Sequence, residues 1–315
     1  MQPSLLIVNP AARGGRHAEA EALAACRSVG IAPRVVRTTA AGDAARIAAD
    51  GPDDAPILVL GGDGTVMEAV GARVGRPTPI GILPGGTGNQ LARHLGIPLN
   101  VTRAVRALVG AEELRLDLGR LSDGRYFALA AGVGLDAAMI QGASPASKRR
   151  LGVGAYVLSA VKAVFAARPF AVRVSVDGRV EERDVGLAMI ANVGAVMDGR
   201  FRLGPNARPD DGLLDVCLLS PSGVGDALRL ASWMARGVFP DDSRLWHAQG
   251  RHIRVEAAAN VAAEADGELL EAPILDAEVV PLAARFLAPT PAALRPRARG
   301  AFSVGGEPPQ PPESR

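Results

Sequence analysis

Short apolar runs recur through the first hundred positions, each followed by a stretch with helical spacing. Residues 5–9, 34–37, 57–60 and 80–83 read as strands, and 17–29, 42–50, 68–74 and 90–95 as helices. Gly96 and Pro98 stop the last of these, since glycine suits a helix C-terminus and proline cannot continue one. Strict strand–helix alternation predicts a parallel sheet flanked by helices. From about Arg115 the pattern changes. Residues 126–131, 172–176, 186–190, 213–219, 253–256 and 261–265 read as strands, with hairpin signals at Asp123-Gly124 and Asp177-Gly178 and one helix at 223–236. The expected fold is an α/β N-terminal domain (1–115) followed by a mostly antiparallel β-sandwich (116–280). Residues 289–315, rich in Pro and Arg, read as a disordered tail.

Chemistry concentrates at two strand ends. The run 57–60 opens directly into Gly61-Gly62-Asp63-Gly64-Thr65, and the run 80–83 into Pro84-Gly85-Gly86-Thr87-Gly88-Asn89. Glycines leave backbone N–H groups accessible, and a helix start carries partial positive charge, so each turn suits an anion. Thr65 and Asn89 are placed to cap the helices that follow, and Thr87 to offer a hydroxyl to phosphate. Asp63 would repel a bare phosphate, which makes sense if a divalent cation lies between them or if Asp63 handles a proton. Read alone, GGDGT also fits a plain strand-to-helix turn with a solvated Asp, the lesser of the two readings. Two such turns on neighbouring strands would face one cleft and suit a nucleoside triphosphate. Neither has the GxxxxGK[ST] or GxGxxG spacing.

Composition narrows the classes. The 315 residues carry a net charge of +2 and only 3% aromatics, which disfavours nucleic acid as a partner. Cys26 and Cys217 have no metal-ligand spacing and read as buried, reduced thiols of a cytoplasmic protein. No signal-like segment and no run of about 18 apolar residues is seen.

The ordered set of motifs resembles the diacylglycerol kinase-like and sphingosine kinase-like lipid kinases, above all the soluble bacterial type. The motifs are Asn9-Pro10 with Gly14-Gly15, the GGDGT turn, Pro84 to Asn89 running into Leu91-Ala92-Arg93, and Gly132 to Asp136. They continue with Asp211-Gly212-Leu213-Leu214-Asp215 and Asp266-Gly267-Glu268. Met67 and Gln90 depart from the Asn and Asp that many relatives carry there. The resemblance implies an N-terminal domain of the NAD kinase/phosphofructokinase type, to which residues 281–288 return. It also implies ATP bound across Asn9, Pro10, Thr38, Gly61, Gly62, Asp63, Gly64, Thr65, Gly86, Thr87 and Asn89, and Mg²⁺ as cofactor.

For the chemistry, the resemblance implies Glu268 as the base, with Asp266 as its partner or a metal contact. Asp63 would hold the catalytic Mg²⁺ or itself act as base. A second, structural Mg²⁺ would take the Asp211 carboxylate and the carbonyls of Arg208 and Leu213, and Asp117 resembles a substrate-headgroup carboxylate. Locally, Asp-Gly at 266–267 and 211–212 is also an ordinary turn signal.

Between Asp136 and Asp177 the chain has six basic residues and no acidic one. Val153, Val157, Ala160, Val161, Val164 and Phe165 share one helical face there, so residues 144–168 are expected to flank a lipid entrance at a membrane surface. The expected activity is γ-phosphate transfer from ATP to the hydroxyl of a diacylglycerol-, phosphatidylglycerol- or sphingoid-type lipid. The enzyme would visit the membrane transiently from the cytoplasm, and a homodimer stays open. A soluble-substrate kinase of the NAD kinase type and a catalytically silent nucleotide-binding regulator are the alternatives.

Overall fold

The computed structural model describes residues 4–13, 15–134, 169–196, 201–258 and 260–289. The first part alternates as expected: β1 (Leu5–Val8), α1 (Gly15–Ser28), β2 (Arg34–Arg37), α2 (Asp43–Ala49), β3 (Ile57–Gly61), α3 (Asp63–Ala72), β4 (Ile80–Pro84), α4 (Gln90–His94) and α5 (Val101–Leu108). β1, β3 and β4 are buried along their whole length, as strands covered on both faces must be.

The strands β1 to β4 are parallel and lie in the order β2-β1-β3-β4. The chain steps one way from β1 to β2 and the other way afterwards. Right-handed crossovers then put α1 on one face and α2 and α3 on the other, consistent with α1 packing on α5 and α2 on α3. The reversal creates a crevice beyond the carboxyl ends of β1 and β3, where open α/β sheets bind ligands.

The second part is β5 (Glu112–Leu121), β6 (Tyr126–Phe127), β7 (Ala130–Val133), β8 (Phe170–Val176), β9 (Arg179–Val185), β10 (Leu187–Ala191), β11 (Ala195–Val196), β12 (Phe201–Arg202), β13 (Leu214–Leu219), α6 (Val224–Arg236), β14 (Leu245–Gly250), β15 (His252–Ala257), β16 (Ala263–Ala265), β17 (Glu268–Leu269) and β18 (Ile274–Ala288). Its antiparallel sheet, β14-β13-β10-β7-β16-β17, faces a second layer across a core that includes Val133, Ile190, Val216, Val174, Val255 and Leu275.

That second layer is no separate sheet. It continues the parallel one in the order β2-β1-β3-β4-β18-β15-β8-β9, with β5 on the other side of β18 over much of its length. The 15-residue β18 pairs with β15 through its first half and, through Phe286 and Leu287, with Ile80 and Gly81 of β4. Its register with β5 shifts between Val280 and Ala284, at Pro281-Leu282, where Leu282 has φ of 49°. Proline lacks a ladder donor and belongs at such a bulge.

The sequence reading missed α5, the long β5, β9, β14 and the two-residue strands β11, β12 and β17. The β9 run Arg-Val-Glu-Glu-Arg-Asp-Val has no apolar alternation, and its pairing with β8 defines it. Helix α3 starts at Asp63, so Thr65 lies within its first turn instead of capping it.

Phe286 is fully buried in the first core while its backbone holds β18 against β4. Phe286→Ala is expected to cost about 3–5 kcal/mol by loss of burial and cavity formation, read as a lower midpoint in urea unfolding.

Candidate active site

The two glycine turns touch backbone to backbone. The Gly85 N–H donates to the Gly61 carbonyl at 2.8 Å, and a Cβ on Gly86 would lie 2.6 Å from the Gly62 Cα. No side chain fits there, because both sides of that contact are main chain. Asn89, in the left-handed region at φ 49°, closes its own turn: its Oδ1 accepts from the Gly86 N–H and its Nδ2 donates to the Gly86 carbonyl, both at 2.9 Å. It does not cap α4, as the sequence suggested. Its cross-bracing instead leaves Thr87 exposed at the tip of the turn.

Asp63 stands at the start of α3. Its Oδ1 accepts from the Leu91 N–H of α4 at 3.1 Å, and its Oδ2 lies 3.0 Å from where a Cβ on Gly88 would be. One carboxylate thereby ties the GGDGT turn to the neighbouring helix. Asn9, from the end of β1, donates through Nδ2 to the Thr65 hydroxyl at 2.8 Å, while its Oδ1 accepts from the Ala11 N–H at 3.0 Å. Thr38 is buried at the end of β2, its N–H bonded to the Val8 carbonyl at 2.9 Å. Pro10 is exposed in the loop after β1. Met67 packs on the first core, and Gln90 is exposed as the first residue of α4.

Glu268 reaches this crevice from the second part of the fold. Its Oε1 occupies the space beside Gly64, 2.2 Å from the position a Cβ would take, so a side chain at 64 would displace the carboxylate from that spot. Asp63 and Glu268 therefore border the same opening. Glu268 is exposed on β17, whose hairpin with β16 turns through Asp266 and Gly267.

Asp266 points the other way. Its carboxylate accepts from the N–H groups of Ala128 (2.7 Å), Leu129 (2.9 Å) and Ala130 (3.1 Å). Burial pushes this carboxyl up to about 6, with the Asp63 charge adding to the rise and the three amides opposing it. With its oxygens held by main-chain donors, Asp266 anchors the hairpin to the β6–β7 connection, and the structure gives no support to a metal contact there.

A second acidic cluster lies behind. Asp117 is fully buried, and its oxygens accept from the Gly212 N–H and the Leu282 N–H, each at 2.7 Å. This geometry gives the carboxylate a structural task, bracing the bulge of β18 and the loop before β13, and leaves no oxygen directed at a headgroup as the sequence had suggested. Asp211 accepts from the Leu213 N–H at 3.0 Å. Although Asp211 is exposed at the surface, partial enclosure of its carboxyl and the nearby Asp215, Asp117 and Asp210 charges push it up to about 6. The Arg208 side chain pairs with Asp210 at 2.9 Å.

Among the described residues no three His, Cys, Asp or Glu side chains converge as a metal cage. A crowded carboxylate nonetheless suits a hard cation that keeps its waters, and the neighbouring Asp117, Asp210 and Asp215 charges crowd Asp211 in that way. Two residues went unnoticed in the sequence. Asn192 donates to the Asp117 carbonyl (2.7 Å) and the Ala128 carbonyl (2.9 Å), joining the two acidic regions. Glu264 is buried and accepts from the Gly267 N–H at 2.7 Å. An Asn ending an apolar strand was a legible signal; a Glu between alanines was not.

Comparison with known proteins decides the family. Residues 3–121 match the diacylglycerol kinase catalytic domain, and residues 130–288 match the YegS C-terminal NAD kinase beta sandwich-like domain. The chain belongs to the diacylglycerol kinase-like family of lipid kinases. It is 28% identical to a diacylglycerol kinase of Bacillus subtilis (strain 168) over 237 residues, which covers 73% of this chain and 77% of that one. A Chromohalobacter salexigens protein named "Probable lipid kinase YegS-like" is 35% identical over 208 residues, 63% of this chain and 65% of its own length. A crystal structure from Bacillus anthracis str. Sterne superposes with a TM-score of 0.73 at 26% identity, covering 93% of this chain and 96% of that one. The α/β domain and the antiparallel sandwich are thus those of the family. The segment 144–168, expected to flank a lipid entrance, lies outside the described residues.

Because the folded state raises Asp211 above its unfolded value, it binds that proton more tightly than the unfolded chain does. Stability contributed by this group is present at low pH and falls as pH rises toward about 6. Mg²⁺ should reverse the fall: thermal melts with and without millimolar Mg²⁺ are expected to differ more at pH 8 than at pH 5. Asp211→Asn should flatten that difference and stabilise the metal-free protein at pH 8.

Proposed function

We propose that this family member is an ATP-dependent lipid kinase, transferring the terminal phosphoryl group to the hydroxyl of a diacylglycerol-, phosphatidylglycerol- or sphingoid-type lipid. The observation that carries the proposal is the meeting of Glu268 with the Gly61–Thr65 turn at Gly64. A carboxylate from one part of the fold there meets a glycine-rich strand-to-helix turn from the other.

Main-chain N–H groups of the two turns would receive the triphosphate oxygens, with Asn9, Thr65 and Thr87 adding polar contacts around them. Asp63 would hold Mg²⁺, which when bound neutralises charge on the phosphates. Glu268 takes the proton of the lipid hydroxyl as its oxygen attacks; the new bond forms to the γ-phosphorus, and the bond to the ADP oxygen breaks. The proton ends on Glu268 and the electron pair on ADP. The names of the similar proteins support a lipid as acceptor, and no described helix is long and apolar enough to cross a membrane. The enzyme would then work on lipids from the bilayer's aqueous side.

Mass spectrometry of a total lipid extract incubated with the protein, ATP and Mg²⁺ is expected to show one lipid class gaining a phosphate. ATP consumption with NAD but not with mixed lipid micelles would sink the proposal. Glu268→Gln should lower kcat by about 10²–10⁴-fold with little change in KM for ATP, since a general base acts on the acceptor and not on nucleotide binding.

A further inference from the structure

The proton acceptor of the proposed reaction sits next to the two-residue corner that sets its direction. Ala265 pairs with Glu268, so Asp266 and Gly267 alone form the turn, with φ of 48° and 87°. Those values are the type I′ signature. Type II′, the other two-residue hairpin turn, needs glycine where Asp266 stands, so the corner keeps its type I′ form and can vary only by tilting the peptide plane between its two central residues. Here that plane carries the Gly267 N–H.

Nothing crowds Gly267: a Cβ built on it would meet no atom within 4 Å. No neighbouring atom presses on the Gly267 Cα from the side-chain direction. The Asp266 side chain anchors the residue before it through the three amides of 128–130. To the turn's own backbone preference the fold adds one restraint on the plane: the Glu264 Oε2 accepts the Gly267 N–H at 2.7 Å. Glu264 is 8% exposed, a carboxylate enclosed beside a turn.

We infer that Glu264 is a positioning residue of this enzyme: by holding the Gly267 amide it locks the corner that presents Glu268 to Gly64 and the nucleotide cleft. The consequence for catalysis rests on the kinase reading above; the contact itself does not. Burial pushes the Glu264 carboxyl up to about 7, and the Gly267 N–H opposes that rise by favouring the charged form. A buried carboxyl kept beside another acid, Asp266, makes sense where its hydrogen bond does a geometric job. Glu268 gains from such a lock because its oxygen has little room. It sits where a side chain on residue 64 would stand, and a displacement of about 1 Å at a reacting group can cost about a hundredfold in rate.

The test compares Glu264→Ala and Glu264→Gln with the unmodified protein, by steady-state kinetics on the lipid class identified above and by NMR hydrogen exchange on ¹⁵N-glycine-labelled protein. Glu264→Ala is expected to lower kcat about ten- to a hundredfold with KM for ATP within about twofold, and to speed exchange of the Gly267 amide. Glu264→Gln should restore most of kcat and slow exchange, because its carbonyl oxygen accepts the same N–H. Were the alanine protein not to fold, Glu264→Asp, one methylene too short to reach, takes its place with the same expected loss. Wild-type kcat in the alanine or aspartate protein, a glutamine protein as slow as either, or an unchanged Gly267 exchange rate would overturn the inference. A wild-type protein that phosphorylates no lipid would end the kinase reading, while the Gly267 exchange rate would still decide what Glu264 holds.

Discussion

The crevice depends on one strand shared by two architectures. β18 is antiparallel to β15 and β5 in its first half and parallel to β4 near its end, so the sandwich and the nucleotide-type sheet cannot move apart without breaking its ladders. A strand of 15 residues accumulates twist, and here it also carries a proline. The bulge at Pro281-Leu282 absorbs both and frees the Leu282 amide from the ladder. Asp117, opposite the bulge on β5, takes that amide and the Gly212 amide with the same buried carboxylate. An ionised carboxylate with two main-chain donors is a charge-assisted latch, and a buried amide left without an acceptor would cost about 1–3 kcal/mol.

The same device recurs three times. Asp117, Asp266 and Glu264 are enclosed acids whose hydrogen bonds go to main-chain amides instead of to Lys or Arg. Each fixes an irregular piece of backbone: a bulge, a strand connection and a hairpin corner. Burial raises all three carboxyls, and the amides oppose part of that rise by favouring the charged form. Asn192 links the first two through the Asp117 and Ala128 carbonyls. The loop bearing Asp211 and the hairpin bearing Glu268 thus belong to one hydrogen-bonded network that ends beside Gly64.

The glycine turns obey a different constraint. Between Gly62 and Gly86 the two chains approach too closely for any side chain, and Asn89 braces one turn while Asp63 ties the other to α4. The amides near the crevice are held by contacts made before any ligand arrives. Preorganised donors of this kind need no rearrangement as charge develops on a transferring phosphoryl group. Met67 and Gln90, which differ from many relatives, contribute a core contact and an exposed helix start, and neither disturbs the turns.

Local signals made the first part of the fold legible. Buried parallel strands must be apolar throughout, and the turns that end them must be glycine-rich, so β1 to β4, their helices and the two cradles could be read from the chain alone. So could the pairing of Asp-Gly corners with hairpins at 177–178 and 266–267, because φ above zero at two successive positions restricts the residues that fit. What the sequence could not give were relations between distant segments. The alternation of alanines around Glu264 looks like that of a solvent-facing strand residue, and only the returning Gly267 amide makes it a buried brace. Asp117 reads as a free carboxylate until the bulge of β18, some 165 residues later, brings the Leu282 amide to it. Glu268 and Gly64 meet because one long strand binds two sheets, and a contact between residues two hundred positions apart leaves no periodicity in either of them.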